Sequence, residues 1–249
     1  MTLRIVGLMV IGLSAGLLAF ITLYYKRGRN YPIRKRQLVK IFTRSQEASI
    51  ERGLHRQVFL GHQLWSFPYP GLGLHALGVL PVFLKPEATG DGRLSVITAD
   101  GALAVMARQI ADHNYRDGYS PLLTKPGVRI NLTGPTPMTF TASFLSGNSG
   151  QPYGTLAMLG NYGPESLLWA NAVQNRDGMV IAGAGTLTAQ AALFASVRHI
   201  LIGESLYSLP NLITPNPNRQ AGLLTEDILR VLLIISLILG VILKVLGVL

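Results

Sequence analysis

The sequence contains no cysteine, and this absence removes several classes of function at once. Without thiols the chain forms no structural disulfide, no thiolate zinc site, no iron–sulfur cluster, no catalytic cysteine and no lipid anchor on cysteine. Walker A, HExxH and GxSxG motifs are also missing. The five histidines are scattered without the paired spacing of metal ligands. We therefore predict no metal and no cofactor, and we favour a protein that is not an enzyme.

Charged residues are also scarce in this sequence. Charged residues make up 14% of the 249 residues and hydrophobic residues 49%, whereas soluble domains carry about 25% charged residues. The charge that is present is unbalanced, with 22 Lys and Arg against 12 Asp and Glu, for a formal net charge of +10. The composition indicates one ordinary domain together with membrane-embedded segments.

Two long apolar runs supply those segments. Residues 5–25 form an uncharged run of roughly 21 residues, enough to cross a hydrocarbon core of about 30 Å. A cleaved signal peptide is the alternative, but the run is long for one and no convincing cleavage motif follows. Residues 228–249 form the second run, broken only by Arg230 and Lys244 near its ends, where long basic side chains reach the interface. We predict two transmembrane helices.

Small residues recur four positions apart in both predicted spans, the spacing that lets helices approach closely in lipid. This spacing serves either packing of the two spans within one chain or association between chains, and we predict a homo-oligomer. The packing residues are Gly12, Gly16, Ser236 and Gly240.

Basic residues concentrate directly after the first span. Positive charge beside a span stays in the cytoplasm, so both termini are expected outside and the domain inside, at a bacterial cytoplasmic membrane. The same residues could also bind anionic lipid headgroups. Nucleic acid binding is not predicted, because only Tyr31 is interleaved as an aromatic. The headgroup candidates are Lys26, Arg27, Arg29, Arg34, Lys35 and Arg36.

Between the spans, short apolar runs alternate with segments of helical spacing, most clearly over residues 154–205. This alternation is typical of consecutive βα units. We predict an α/β fold with a Rossmann-like, mostly parallel sheet flanked by helices. The expected organisation is a span at 1–25, a basic linker at 26–56, the α/β domain at 57–210, a return loop at 211–226 and a span at 227–249. Helices are expected at 45–54, 71–84 and 101–115, and strands at 58–61, 94–98 and 128–132.

Candidate binding residues follow the strands, because ligands of such sheets bind outside the carboxyl ends. Helix N-termini meet there and favour anions. Three acids lie at this edge: Asp100, Glu165 and Glu204. They could converge as metal ligands or acid–base groups, or each could begin a helix, and we favour the second interpretation. The candidates are Asp100, Thr133, Asn161, Glu165, Gly183, Gly185, Thr186 and Glu204.

The turn Gly183-Ala-Gly185 after a strand suggests a dinucleotide-binding loop. Thr188 replaces the third glycine of GxGxxG, which weakens that interpretation. We expect Gly183 and Gly185 to adopt a left-handed conformation or to lie in a closely packed turn.

The segment 160–165 (GNYGPE), the turn 182–185 (AGAG), the segments 189–195 (AQAALFA) and 201–204 (LIGE), and the span from Asp227 together resemble a bacterial family of membrane proteins described only as a domain of unknown function. The similarity runs from the basic linker to the C-terminus. It implies a membrane-anchored α/β domain and transfers no activity and no catalytic residue.

Two functions of different classes follow. The first is a non-catalytic scaffold that assembles with itself at the membrane. The second is a membrane-anchored enzyme or sensor that binds a nucleotide or another anion at the strand ends.

Overall fold

The computed structural model describes most of the central chain and little of its two ends. By its internal contacts the chain divides into two compact units, Lys35–Thr214 and a second made of Met1–Arg34 with Pro215–Leu249. Within the described ranges no helix is both long and apolar enough to cross a membrane. The predicted headgroup residues between 26 and 36, and the small residues at 236 and 240, lie outside the description. The described residues are 12, 16, 19–21, 23, 37–62, 71–87, 94–118, 128–147, 152–213, 222, 224–235 and 238.

Six strands of the Lys35–Thr214 unit form one sheet. They are β1 (His55–Phe59), β2 (Leu94–Thr98), β3 (Val128–Leu132), β4 (Tyr153–Gly160), β5 (Met179–Ala184) and β6 (His199–Leu201). Their spatial order is β3-β2-β1-β4-β5-β6, and all five neighbouring pairs are parallel. In β4 all eight residues are buried, as expected for a central parallel strand covered on both faces.

Eight helices are described in the same unit, and they cover both faces of the sheet. One face packs against α1–α4 and α8 around Phe42 and Phe83, and the other against α5, α6 and α7 around Phe59 and Trp169. The predicted parallel α/β architecture is thereby confirmed. The helices are α1 (Gln37–Glu51), α2 (Leu72–Leu77), α3 (Leu80–Glu87), α4 (Gly101–Gly118), α5 (Pro137–Gly147), α6 (Ser166–Gln174), α7 (Leu187–Ser196) and α8 (Glu204–Ile213).

Strands β2 and β3 have the predicted bounds, whereas β1 and α1 do not. Strand β1 begins at His55 and includes Arg56 and Gln57, which are buried polar residues that hydropathy does not mark as strand. Helix α1 begins at Gln37, eight residues before the expected start. Ser45 therefore lies inside the helix, where its hydroxyl donates to the carbonyl of Phe42 (2.8 Å).

The predicted helix at 71–84 is two helices, α2 and α3, separated by Gly78 and Val79. A Cβ on Gly78 would stand 3.1 Å from Pro210 Cβ, so the glycine permits close approach to α8. The predicted return loop is wrong at its start, because α8 continues through residues 211–213 despite containing Pro210.

Candidate functional site at the centre of the sheet

The strand order reverses between β1 and β4, and in open α/β sheets this is the position of the ligand crevice. Two glycines pack against each other there. Gly61 has φ 91°, and a Cβ on it would stand 2.8 Å from the backbone nitrogen of Asn161. A Cβ on Gly160 would stand 2.7 Å from the carbonyl oxygen of Leu60. The backbones after β1 and β4 are therefore in direct contact at the base of the crevice.

A histidine and a glutamate meet directly above this contact. The backbone N–H of His62 donates to the carbonyl of Asn161 (3.2 Å), which fixes the residue to β4. Its Nε2 lies 3.6 Å from Oε1 of Glu165, and the two side chains are 10% and 13% exposed. Oε1 also accepts a hydrogen bond from the backbone N–H of Gly163 (2.8 Å). The carboxylate is thus held at the start of α6, facing the imidazole.

Three aromatic rings enclose the imidazole of His62. It stacks on Trp169 with ring centroids 5.8 Å apart and planes at 24°. Phe140 lies 4.8 Å away, and Tyr162 presents its edge at 5.9 Å. Trp169 Nε1 donates to the hydroxyl of Thr141 (2.9 Å), which positions the indole. The imidazole of His62 is therefore surrounded by aromatic rings and lies near one carboxylate, that of Glu165.

This environment acts on two titratable groups. Burial lowers the pKa of His62 below its ordinary value, and the neighbouring charge of Glu165 opposes the shift. Burial raises the pKa of Tyr162 well above its ordinary value, and the backbone groups of Leu159 and Gly61 oppose this shift. At neutral pH the site then holds a neutral imidazole and a neutral phenol. The hydroxyl of Ser166, next in sequence to the glutamate, is fully buried and donates to the carbonyl of Gly163 (2.8 Å), so it is not presented as a nucleophile.

The lowered pKa of His62 predicts acid sensitivity. Below the ordinary histidine value of 6.5, the unfolded chain binds a proton that the folded chain resists, so stability falls as the pH falls through that region. Replacing His62 with Gln should reduce this dependence in urea unfolding of the purified chain between pH 7.5 and 5.5. His113→Gln, on the opposite face of the sheet, is the matched control. An unchanged slope in the His62 variant would show that another group governs the acid response.

The predicted binding residues lie on both sides of this pair. The hydroxyl of Thr133 donates to the carbonyl of Thr98 (3.1 Å) at the β3 side of the edge. On the β5 side, the N–H of Gly185 donates to the carbonyl of Gly160 (3.1 Å). The hydroxyl of Thr186 donates to the carbonyl of Tyr162. The structure therefore gathers Asn161, Glu165, Gly185 and Thr186 around the carboxyl end of β4 and places Asp100 and Thr133 on the far side of β1.

The three acids begin three separate helices. Asp100 Oδ1 accepts from the N–H groups of Ala102 (2.8 Å) and Leu103 (3.1 Å), so it caps α4. Glu165 precedes α6, and Glu204 is the first residue of α8. They follow β2, β4 and β6, none of which are neighbours. The interpretation as helix-start acids accounts for their placement, and no group of three metal-binding side chains occurs among the described residues.

The expectation for the Gly183-Ala-Gly185 turn is partly wrong. Neither glycine has a positive φ, and Gly183 lies inside β5 rather than in a turn. Close packing does occur at Gly183, where a Cβ would meet the side chain of Leu206 of α8. The glycine thus serves packing of β5 against α8.

Gly61 and His62 belong to this site but are not among the binding residues predicted from sequence, because an isolated histidine carries no signal by itself. The available clue was a glycine ending each of two apolar runs, at Gly61 and Gly160, followed in each case by a polar residue.

A six-stranded parallel sheet in this order, with helices on both faces and a crevice where the order reverses, defines a doubly wound, Rossmann-like α/β protein. The chain belongs to the DUF6754 family, a domain of unknown function whose model matches residues 74–249. Membership of a family of unknown function agrees with the resemblance, although the match begins at residue 74 and not in the basic linker. No curated protein and no solved structure matches the chain.

Proposed function

We propose that this protein is a non-catalytic scaffold, anchored in a bacterial cytoplasmic membrane by its two ends and assembled with copies of itself. The domain formed by Lys35–Thr214 lies on the cytoplasmic side in this proposal. The anchoring and the exclusion of an anionic ligand have separate supports.

Support for anchoring comes from the described helical residues 224–235. Five successive large apolar side chains, at positions 231–235, are each 49–59% exposed, and Ile228 is 36% exposed. Successive residues of a helix are about 100° apart, so these side chains surround the axis. A helix that is apolar on every side is stable only inside a protein or a bilayer. Exposed apolar surface on all sides is the single observation that carries the proposed anchor.

The other end of the chain fits the same proposal. Met1–Arg34 and Pro215–Leu249 fall in one compact unit, separate from the α/β domain, so both predicted spans belong to the proposed anchor. The small residues of the spans then serve helix packing in lipid. The acid-free basic run after the first span favours a cytoplasmic domain, and its contact with anionic headgroups remains part of the proposal.

The carboxyl edge of the sheet disfavours the alternative of an anion-binding enzyme or sensor. The connections from each strand to the next helix, at 60–71, 99–100, 133–136, 161–165, 185–186 and 202–203, contain no Lys or Arg. At two of the helix starts, carboxylates of Asp100 and Glu165 already accept backbone N–H groups. A phosphate would therefore meet negative charge without a basic partner.

Anchoring and topology can be tested together by cysteine labelling, because the chain has no native cysteine. In intact spheroplasts an impermeant maleimide should label Thr2→Cys and should label Val105→Cys, on an exposed position of α4, only after lysis. Labelling of Val105→Cys without lysis would reverse the topology. Release of the protein by alkaline carbonate would contradict the anchor altogether.

A further inference from the structure

The α/β domain concentrates its positive charge at one edge of the sheet. Residues 57–210 contain eight Lys and Arg and eight Asp and Glu, so the asymmetry is one of position and not of number. The connections from each helix to the next strand contain five Lys and Arg against two Asp, whereas those from each strand to the next helix contain no Lys or Arg. Because all the strands are parallel, the connections that enter them reach one edge, which we call the amino edge. These connections are 52–54, 88–93, 119–127, 148–152, 175–178 and 197–198, and their charged residues are Arg52, Asp91, Arg93, Lys125, Arg176, Asp177 and Arg198.

Two arginines of the amino edge lie in adjacent connections. Arg176 and Arg198 precede β5 and β6, which pair directly with each other, and both side chains are exposed. The side-chain amide of Gln174 donates to the carbonyl of Ser196 (3.3 Å), which ties the ends of α6 and α7 together. The guanidinium of Arg176 lies over the ring of Tyr153, 5.3 Å from its centroid. Exposed positive charge therefore stands beside the beginnings of β4, β5 and β6.

Large apolar side chains are exposed at the same end of the domain. Phe194 is in the last turn of α7 and is 68% exposed, and Leu145 is in the last turn of α5 and is 46% exposed. Both helices end at the amino edge, because each leads into a strand. The helix dipole favours arginine after the end of a helix, but it gives no reason for an exposed phenylalanine there. Basic residues beside exposed apolar ones are typical of surfaces that lie on anionic bilayers.

From this charge distribution we infer that the amino edge beside α6 and α7 is the surface of the domain that contacts anionic lipid headgroups. The inference rests on the proposed membrane anchor and assigns the contact to Arg176, Arg198 and Phe194. The cytoplasmic leaflet is anionic, so its charge is complementary to that of the edge. An anchor keeps the domain at a high effective concentration beside this leaflet, and a contact made by few residues is then sufficient.

A second copy of the chain complements the amino edge less well. The opposite edge of the sheet would have to supply the negative charge in a head-to-tail contact. There Asp100 already caps α4 through Oδ1, and the side chain of Glu165 is only 13% exposed. Lipid phosphates need no such arrangement, because the headgroups adjust to the positions of the arginines.

The test measures how closely the two ends of α7 approach lipid headgroups in the full-length chain reconstituted in nanodiscs. A dye is attached to Ala195→Cys, in the last turn of α7, or to Thr188→Cys, in its first turn. Both positions are exposed, and the chain has no native cysteine. Lipid that is spin-labelled at its headgroup should quench the dye at residue 195 more than the dye at residue 188 when the nanodisc contains phosphatidylglycerol. In phosphatidylcholine alone this difference should disappear.

Neutralising the two arginines should have the same effect as removing the anionic lipid. Arg176→Gln together with Arg198→Gln should lower the ratio of quenched to unquenched dye at residue 195 about fivefold for each arginine. Arg176→Lys together with Arg198→Lys keeps the charge and should retain the quenching. Arg108→Gln, at an exposed position of α4, is the matched control and should change nothing. The urea midpoint of each variant shows that it is folded.

Three results would overturn the inference. Equal quenching at residues 188 and 195, with the chain retained in the nanodisc, would exclude this contact while sparing the anchor. Release of the chain from membranes by alkaline carbonate would exclude both. A smaller particle in mass photometry for the double glutamine variant, with unchanged quenching at residue 195, would assign the amino edge to a contact between copies.

Discussion

Replacing Gly160 with Ala should destabilise the α/β domain by about 3 kcal/mol or more in urea unfolding. The added methyl group would stand 2.7 Å from the carbonyl oxygen of Leu60 and 2.8 Å from Cα of Gly61. Both atoms belong to the backbone that follows β1, so neither can rotate away as a side chain would. Relief requires β1 and β4 to separate at the centre of the sheet, where the strands are fully covered. The expected result is a lower midpoint with an unchanged slope.

Gly101→Ala is the matched control for this substitution. Gly101 begins α4, has no positive φ, and a Cβ on it would meet nothing within 4 Å. The same methyl group should there be neutral or stabilise slightly, because alanine reduces the freedom of the unfolded chain. If both variants unfolded at the wild-type midpoint, the close contact of the two backbones would be absent in solution.

The elements that sequence predicts well are those whose stability is local. Strands β2 and β3 are short apolar or β-branched runs between polar segments, and their bounds are as predicted. Strand β1 was misplaced because both of its faces are buried and they include Arg56 and Gln57, whose burial depends on tertiary contacts. Arg56 Nη1 donates to Gln46 of α1 (3.0 Å), a partner that the sequence pattern does not reveal. Because both partners are polar, a hydropathy pattern detects neither the strand nor the helix that covers it.

The candidate site could be predicted only in outline. Parallel strands place their carboxyl ends at one edge, and so the sequence indicates which residues share that edge. It does not give the order of the strands, and β1 pairs with β4 across nearly a hundred residues. The contact between Gly61 and Gly160, and that between His62 and Glu165, depend entirely on this pairing.

Replacing Trp169 with Ala should have the largest effect of any single truncation in the domain, a loss of about 3–5 kcal/mol. Trp169 is fully buried and contacts the rings of Phe59, Phe140, Tyr162 and His62. Its removal leaves a cavity beneath β1 and deprives the imidazole of its stacking partner. The measurement is urea unfolding of the purified chain.

Two companion variants separate packing from hydrogen bonding. Trp169→Phe keeps an aromatic ring but loses the donor to Thr141 (2.9 Å), and it should cost less than the alanine change, about 1–3 kcal/mol. Leu168→Ala, at the preceding and half-exposed position of α6, should change stability by less than about 0.5 kcal/mol. Equal losses of stability in Leu168→Ala and Trp169→Ala would mean that the indole of Trp169 does not face the sheet. If Trp169→Phe lost as much stability as Trp169→Ala, the hydrogen bond to Thr141, and not the filled volume, would account for the contribution of Trp169.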